Sequence, residues 1–302
     1  MMSKILKSLI FLVSTYAMVE MSLASAAQDS LETASTKYVE ANGVKFSYRT
    51  IGKATGVPLI MLVHFTGTMD YWDPAVVNGL AKERSVIVFN NRGIGHTSGK
   101  PSDNVAEMAT DAYSFIQALG YKKVDILGFS LGGFVAQELA AGHPELVNKV
   151  ILAGTSNQGG GDNLLKVVGE AYTKKDIADV REYLFFSPSE KGQKAAKEFI
   201  KRVNIRTKDR DPESGKQIID AQVHAIVTWA NTHNEDLLLK SIQQPTLIVQ
   251  GSNDIMLDTK SSITMFNQIK NAQLILYPDS GHGSFFEYHD SFVNSANYFL
   301  NH

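Results

Sequence analysis

The chain contains no cysteine, which rules out disulfide bonds and any cysteine-linked lipid anchor. It has no basic excess either: the formal charge is −2, and no Lys/Arg cluster carries interleaved aromatics. Nucleic acid is therefore not an expected partner. There is no His-Glu-x-x-His pattern, and the eight histidines are scattered without ligand spacing, so no metal is expected. Low-complexity tracts, heptads and repeats of fixed period are missing, and no apolar run is long and unbroken enough to cross a bilayer. What remains is 302 residues, 44% hydrophobic and 20% charged. That is the composition of one large globular domain, or of a core domain carrying an insertion.

The N-terminus departs from this uniformity. Lys4 and Lys7 precede the apolar run Leu9-Ile10-Phe11-Leu12-Val13, which Glu20 later interrupts, and Ala24-Ser25-Ala26 supplies small residues where a signal peptidase cuts. Residues 1–26 are expected to be a signal peptide, cleaved near Ala26 or Ala27. The expected location is periplasmic or secreted, with no stable membrane insertion afterwards. A large core makes disulfides dispensable there.

Beyond the leader, Asn42-Gly43 separates two alternating runs, Tyr38 to Ala41 and Val44 to Arg49, which predicts a hairpin. Six further runs follow: Pro58 to Val63, Ser85 to Phe89, Lys123 to Gly128, Lys149 to Ala153, Pro245 to Val249 and Ala272 to Leu276. Their near-continuous apolar character suits strands buried on both faces. Between them, Val105, Met108, Ala112, Phe115, Ile116 and Leu119 recur at helical spacing and stop at Gly120. A second helix runs through Phe134 to Ala140 and closes at His143-Pro144. This alternation predicts an α/β fold with a mostly parallel sheet flanked by helices. Residues 36–155 and 244–302 would form the core. Residues 156–243 break the rhythm and predict a helical cap insertion, with helices over Asn163 to Tyr172, Ile177 to Leu184, Lys191 to Val203 and Gly215 to Ala230. Lys208-Asp209-Arg210-Asp211, closed by Pro212, is expected to be a solvated loop.

Chemistry concentrates at strand ends. Gly128-Phe129-Ser130-Leu131-Gly132 stops a buried strand and starts a helix, which forces Ser130 into a sharp turn with its side chain clear of its neighbours. A serine needs a base to take its proton and a third group to hold that base. Asp254 and His282 each follow a predicted buried strand, and all parallel strand ends lie on one edge of an open sheet. Taken alone, Asp254 also suits a turn residue satisfying local N–H groups, and His282 a solvated loop. Oxyanion donors are also required. One is the backbone N–H of Leu131, and the other should come from the loop His64-Phe65-Thr66-Gly67-Thr68, where His64 is expected to orient the loop. Phe185, Phe186, Met256 and Trp229 suit a pocket lining and the core equally.

Together these stretches, with Trp72-Asp73-Pro74, Asn90-Asn91-Arg92-Gly93-Ile94-Gly95-His96-Thr97-Ser98 and Gly281-His282-Gly283, resemble the α/β-hydrolase superfamily from about Tyr38 to the end. The resemblance implies Ser130 as nucleophile, His282 as base then acid, and Asp254 as orienting carboxylate. Members commonly carry His-Gly after the third strand. Aligned from Trp72, His64 takes the glycine's place here, making Phe65 the oxyanion donor and Thr66 the alternative. Asn90 stands where an aspartate is common, a change expected to affect loop structure rather than chemistry. The implied activity is serine hydrolysis of a small ester-like or activated carbonyl substrate, without a cofactor. Amide, lactone or carbon–carbon bond hydrolysis, perhydrolysis, and a non-catalytic binding protein are the alternatives.

Overall fold

The computed structural model describes residues 29–53, 56–161 and 163–302; the expected leader lies outside them. Among the described residues, eight strands form one sheet in the order β1-β2-β4-β3-β5-β6-β7-β8. β1 (Lys37–Ala41) and β2 (Val44–Ile51) make the expected hairpin, with Asn42 and Gly43 both at positive φ, 49° and 75°, the pair of angles that a two-residue turn of matching twist requires. β2 runs antiparallel to β4 (Val86–Phe89). All other neighbours are parallel: β3 (Leu59–Leu62), β4, β5 (Val124–Phe129), β6 (Val147–Ala153), β7 (Thr246–Gly251) and β8 (Ala272–Tyr277). β3, β4, β5 and β7 are buried at every position, as their unbroken apolar runs require of strands covered on both faces.

Helices cover the sheet in two groups. α1 (Pro74–Leu80) packs with α10 (Ser284–Glu287) and α11 (His289–Asn301). α2 (Val105–Ala118) packs on α3 (Leu131–Gly142), which meets α8 (Glu235–Ser241), itself in contact with α9 (Thr259–Gln268). Between β6 and β7 the chain adds α4 (Leu164–Ala171), α5 (Val180–Phe185), α6 (Glu190–Val203) and α7 (Lys216–Ala230), close to the four helical stretches expected there. α8 had no counterpart in the sequence pattern; Leu239 is buried in it while Leu237 stays exposed.

The strand order places the site. The chain steps outward from β3 to β4, then returns to lay β5 on the opposite side of β3, so the connections after β3 and β5 diverge. A crevice opens at such a reversal, at the carboxyl ends of the strands. Leu62 pairs with Gly128 in register, which brings the loop after β3 beside the turn after β5.

Two expectations hold only in part. β8, expected to be buried on both faces, is an edge strand with Gln273 and Leu276 exposed. The segment around Lys208 to Asp211 is a loop with Lys208 and Asp209 exposed to solvent, but Asp211 is buried. Its N–H donates to Asp70 at 2.7 Å, and its carboxylate accepts from Asn90 Nδ2 at 2.9 Å and from the His96 N–H at 3.2 Å. Arg49, fully buried on β2, donates to Asp70 at 2.5 Å and to the Asp209 carbonyl at 2.7 Å. Arg206 reaches Asp209 at 2.9 Å, and Arg202 grips Asp73 through two bonds of 2.7 and 2.6 Å. Asp211 is thus held by hydrogen-bonding groups of the core, contacts that spacing along the chain cannot reveal. Burial pushes the Asp211 carboxyl up from its ordinary range, opposed by the bond from Asn90.

Asn90 is the donor that lets Asp211 sit there. Asn90→Asp would set two carboxylates against each other. Stability should fall by about 2–4 kcal/mol at pH 8 in urea unfolding, with the deficit shrinking toward pH 5 as the pair takes up a proton.

Candidate active site

Ser130 sits at the N-cap of α3 with φ 56° and ψ −120°, a conformation non-glycine residues rarely adopt. The turn is possible because a Cβ on Gly128 would lie 2.3 Å from the Gly132 carbonyl oxygen, and one on Gly132 would lie 2.0 Å from that of Leu62. Only glycine permits this approach of α3 to β5 and β3. The Ser130 hydroxyl makes no capping bond, and the Leu131 N–H heads the helix as one of its four orphan donors.

Asp254 and His282 meet across the β7 and β8 ends. His282 Nδ1 and Asp254 Oδ2 are 2.8 Å apart, both side chains wholly buried. Asp254 meets local backbone donors as well as His282. Oδ1 accepts from the Met256 and Leu257 N–H groups at 2.8 and 3.0 Å, while Oδ2 also takes Gln250 Nε2 at 3.0 Å. A carboxylate fixed by three other bonds can hold an imidazole in one orientation. His282 Nε2 is buried and has no hydrogen-bond partner among the described residues.

The loop after β3 closes a turn from the His64 carbonyl to the Gly67 N–H at 3.0 Å, with Thr66 at φ 59°. The Phe65 carbonyl is 2.9 Å from His64 Nδ1. The Thr66 N–H is taken by Gln222 Oε1 at 2.6 Å, which removes the alternative oxyanion donor. The Phe65 N–H meets no acceptor among the described residues. Burial pushes His64 down to about 3, so its ring is neutral beside His282.

Ser130, His282 and Phe65 line one cavity of about 320 Å³, whose apolar wall includes Val168, Leu184, Phe185 and Met256. Of the four apolar candidates, Phe185 and Met256 face this cavity. Phe186 packs on Phe199, and Trp229 stacks on Phe134 at 4.8 Å while donating to the Asn157 carbonyl. The polar wall was not foreseen. Tyr71 donates to Glu213, and the Arg181 guanidinium lies 4.7 Å over the Tyr71 ring, held by Asp179 at 2.8 Å. Burial opposes ionisation of Asp179, yet the Arg181 bonds hold its carboxyl below the usual range. Among the described residues, no group of three or more His, Asp and Glu side chains is placed to hold a metal ion, and no helix is long and apolar enough to cross a membrane.

The family profile described as the alpha/beta hydrolase fold matches residues 57–288. The chain belongs to the α/β-hydrolase family. Its relatives are hydrolases, and it is an enzyme of that class. A solved alpha/beta hydrolase fold protein from Chitinophaga pinensis is 41% identical, with a TM-score of 0.86 over 90% of this chain and 99% of that one. The serine hydrolase BPHL of Homo sapiens is 24% identical over 274 residues, which cover 87% of this chain and 85% of its own. A structure of Est816, described as an N-acyl homoserine lactone degrading enzyme, is 24% identical with a TM-score of 0.70 over 87% of this chain and all of that one; at that identity the likeness concerns the fold.

Within this α/β-hydrolase, His64 has a pH signature. Its pKa of about 3 in the folded state lies below the unfolded value near 6.5, so the unfolded chain binds more protons between these limits. The stability it contributes is present above pH 6.5 and is lost as pH falls toward 3. Urea unfolding at pH 7 and pH 4.5 should show a loss smaller by roughly 2–3 kcal/mol in His64→Asn than in the parent.

Proposed function

We propose that this α/β-hydrolase cleaves small ester-like or activated carbonyl substrates through an acyl-enzyme on Ser130. The observation that carries the reading is the 2.8 Å Asp254–His282 pair, buried, with a free Nε2, in the cavity that the uncapped Ser130 hydroxyl lines.

The Ser130 hydroxyl adds to the carbonyl carbon as His282 Nε2 takes its proton. Asp254 holds the ring by Nδ1 and favours the imidazolium. The carbonyl oxygen gains negative charge between the Phe65 and Leu131 N–H groups, fixed donors in a site largely closed to water. His282 then gives its proton to the leaving oxygen, which departs and leaves an acyl ester on Ser130. Water attacks that ester, its proton passing to His282 and on to Ser130. A neutral His64 spares the imidazolium a like charge next to it. The size and half-apolar lining of the cavity suit a small acyl group.

A fluorophosphonate probe should label the purified protein on Ser130, with labelling abolished in Ser130→Ala. Asp254→Asn should lower kcat on a chromogenic ester by about 10²–10⁴-fold. A folded protein that is not labelled and turns over none of a panel of esters, lactones and amides would favour a binding protein instead.

We also propose export, on the Lys4 to Ala27 pattern. Intact mass and N-terminal sequencing after expression in a bacterium should find the chain starting near Ala27 or Gln28; full-length protein in the cytosol would contradict this.

A further inference from the structure

The turn from His64 to Gly67 has a β-branched residue, Thr66, at its third position with φ 59°, where glycine is the usual occupant. Such a residue returns to negative φ unless its peptides are held. They are held from the inserted helices. Gln222, on α7 and 1% exposed, accepts the Thr66 N–H at 2.6 Å. Ser214, just before α7, donates to the Thr66 carbonyl at 2.8 Å. On the other pole of the Phe65–Thr66 peptide, the Phe65 carbonyl pairs with His64 Nδ1. Of the backbone polar atoms of Phe65 and Thr66, only the Phe65 N–H is thereby left without a partner, and Phe65 lines the cavity with Ser130.

Gln222 is also out of place on its helix. The buried stripe of α7 runs Gln222, Ala225, Ile226 and Trp229, so an amide occupies a position where an apolar residue would suffice for packing.

We propose that Gln222, assisted by Ser214, is a positioning residue for catalysis: it holds the Phe65–Thr66 peptide in the one orientation that leaves the Phe65 N–H as the oxyanion donor, so that seating α7 on the core completes the oxyanion hole. The proposal rests on the Ser130 hydrolase reading. Its effect is on the transition state, because the donor bonds the developing oxyanion more strongly than the ground-state carbonyl.

The test compares Gln222→Met, which keeps the volume and removes the acceptor, with Gln222→Glu, which keeps an acceptor oxygen. Each is measured for kcat and KM on the best chromogenic ester. Each is also measured for Ki of the matching trifluoromethyl ketone, whose Ser130 adduct places an oxyanion in the hole. Gln222→Met should lower kcat about 10–100-fold with KM within threefold and raise Ki in parallel, a misplaced donor losing most of its worth. Gln222→Glu should recover most of the loss above the pKa of the new carboxyl. Unchanged kcat and Ki in a Gln222→Met protein with parental circular dichroism would overturn the proposal, as would a rise in KM alone. Should Gln222→Met fail to fold, Ser214→Ala carries the same test. A fall in kcat of roughly threefold or more at constant KM supports the proposal; an unchanged kcat sinks it. Ser130→Ala is assayed in parallel. If it turns over ester at the parental rate, the hydrolase reading itself fails, whatever Gln222 does.

Discussion

Gly132 has no room for a side chain, and the rest of the molecule is arranged around that fact. A Cβ there would lie 2.0 Å from the Leu62 carbonyl oxygen, so α3 runs directly against β3 as well as leaving β5. This approach sets Ser130 beside the loop after β3, at the one place where the strand order reverses. It also demands a backbone conformation at Ser130 that costs of order 1–3 kcal/mol. Surrounding bonds over-determine it: the Ser130 N–H donates to the Ala153 carbonyl at 3.1 Å, and the Ser130 carbonyl accepts from the Gly133 N–H and Thr155 Oγ1 at 2.8 and 2.9 Å. Strain at the serine is thus a consequence of sheet packing, offset by hydrogen bonds to the neighbouring strand.

The second organising feature is charge. Arg49, Asp70, Arg206, Asp209 and Asp211 are distributed between core and insertion so that each buried charge meets an opposite one or a hydrogen-bond donor. Ion pairs of this kind contribute modestly to net stability but penalise any arrangement that leaves one member unpaired. They therefore fix where α6 and α7 sit. The position of α7 in turn brings Gln222 to Thr66, so the geometry of the loop after β3 depends on contacts more than 140 residues apart in sequence. The loop that contributes His282 is tied to the insertion in the same way, through the Gly283 N–H and the Phe185 carbonyl at 2.8 Å.

Periodicity made most of the fold legible. Alternation marked the hairpin and unbroken apolar runs the other six strands, and all eight appear within two residues or so of their expected limits, although β8 at the sheet edge is only partly buried. Gly120, with φ 81°, ends α2 where its apolar spacing stops. Ser130, Asp254 and His282 were readable as candidates because residue type and position at a strand end restrict the choice; the structure joins Asp254 to His282 and brings Ser130 and His282 to one cavity. Asn90 was noticed as a departure, but not its partner Asp211. The loop at Lys208 to Asp211 was read as solvated, which holds for Lys208 and Asp209 but not for Asp211, because a charged residue looks the same in sequence whether water or buried donors meet it. α8 spans barely two turns, too little for an apolar stripe to repeat, and α1, α9, α10 and α11 were likewise not read from the sequence.

By itself, then, the sequence determined the succession of strands and of six helices between them, the sharp turn at Ser130, and the candidates for a base and an acid. Those features are local, or follow from the single edge that parallel strands share. Only the tertiary structure decided that Phe65 rather than Thr66 keeps a free N–H, that His64 is buried and neutral, and that Tyr71, Arg181 and Glu213 form the polar wall of the cavity. Each of these depends on a partner brought from a distant part of the chain. Hydrogen bonding and desolvation act through space, and pattern along the chain carries no record of which atoms will meet.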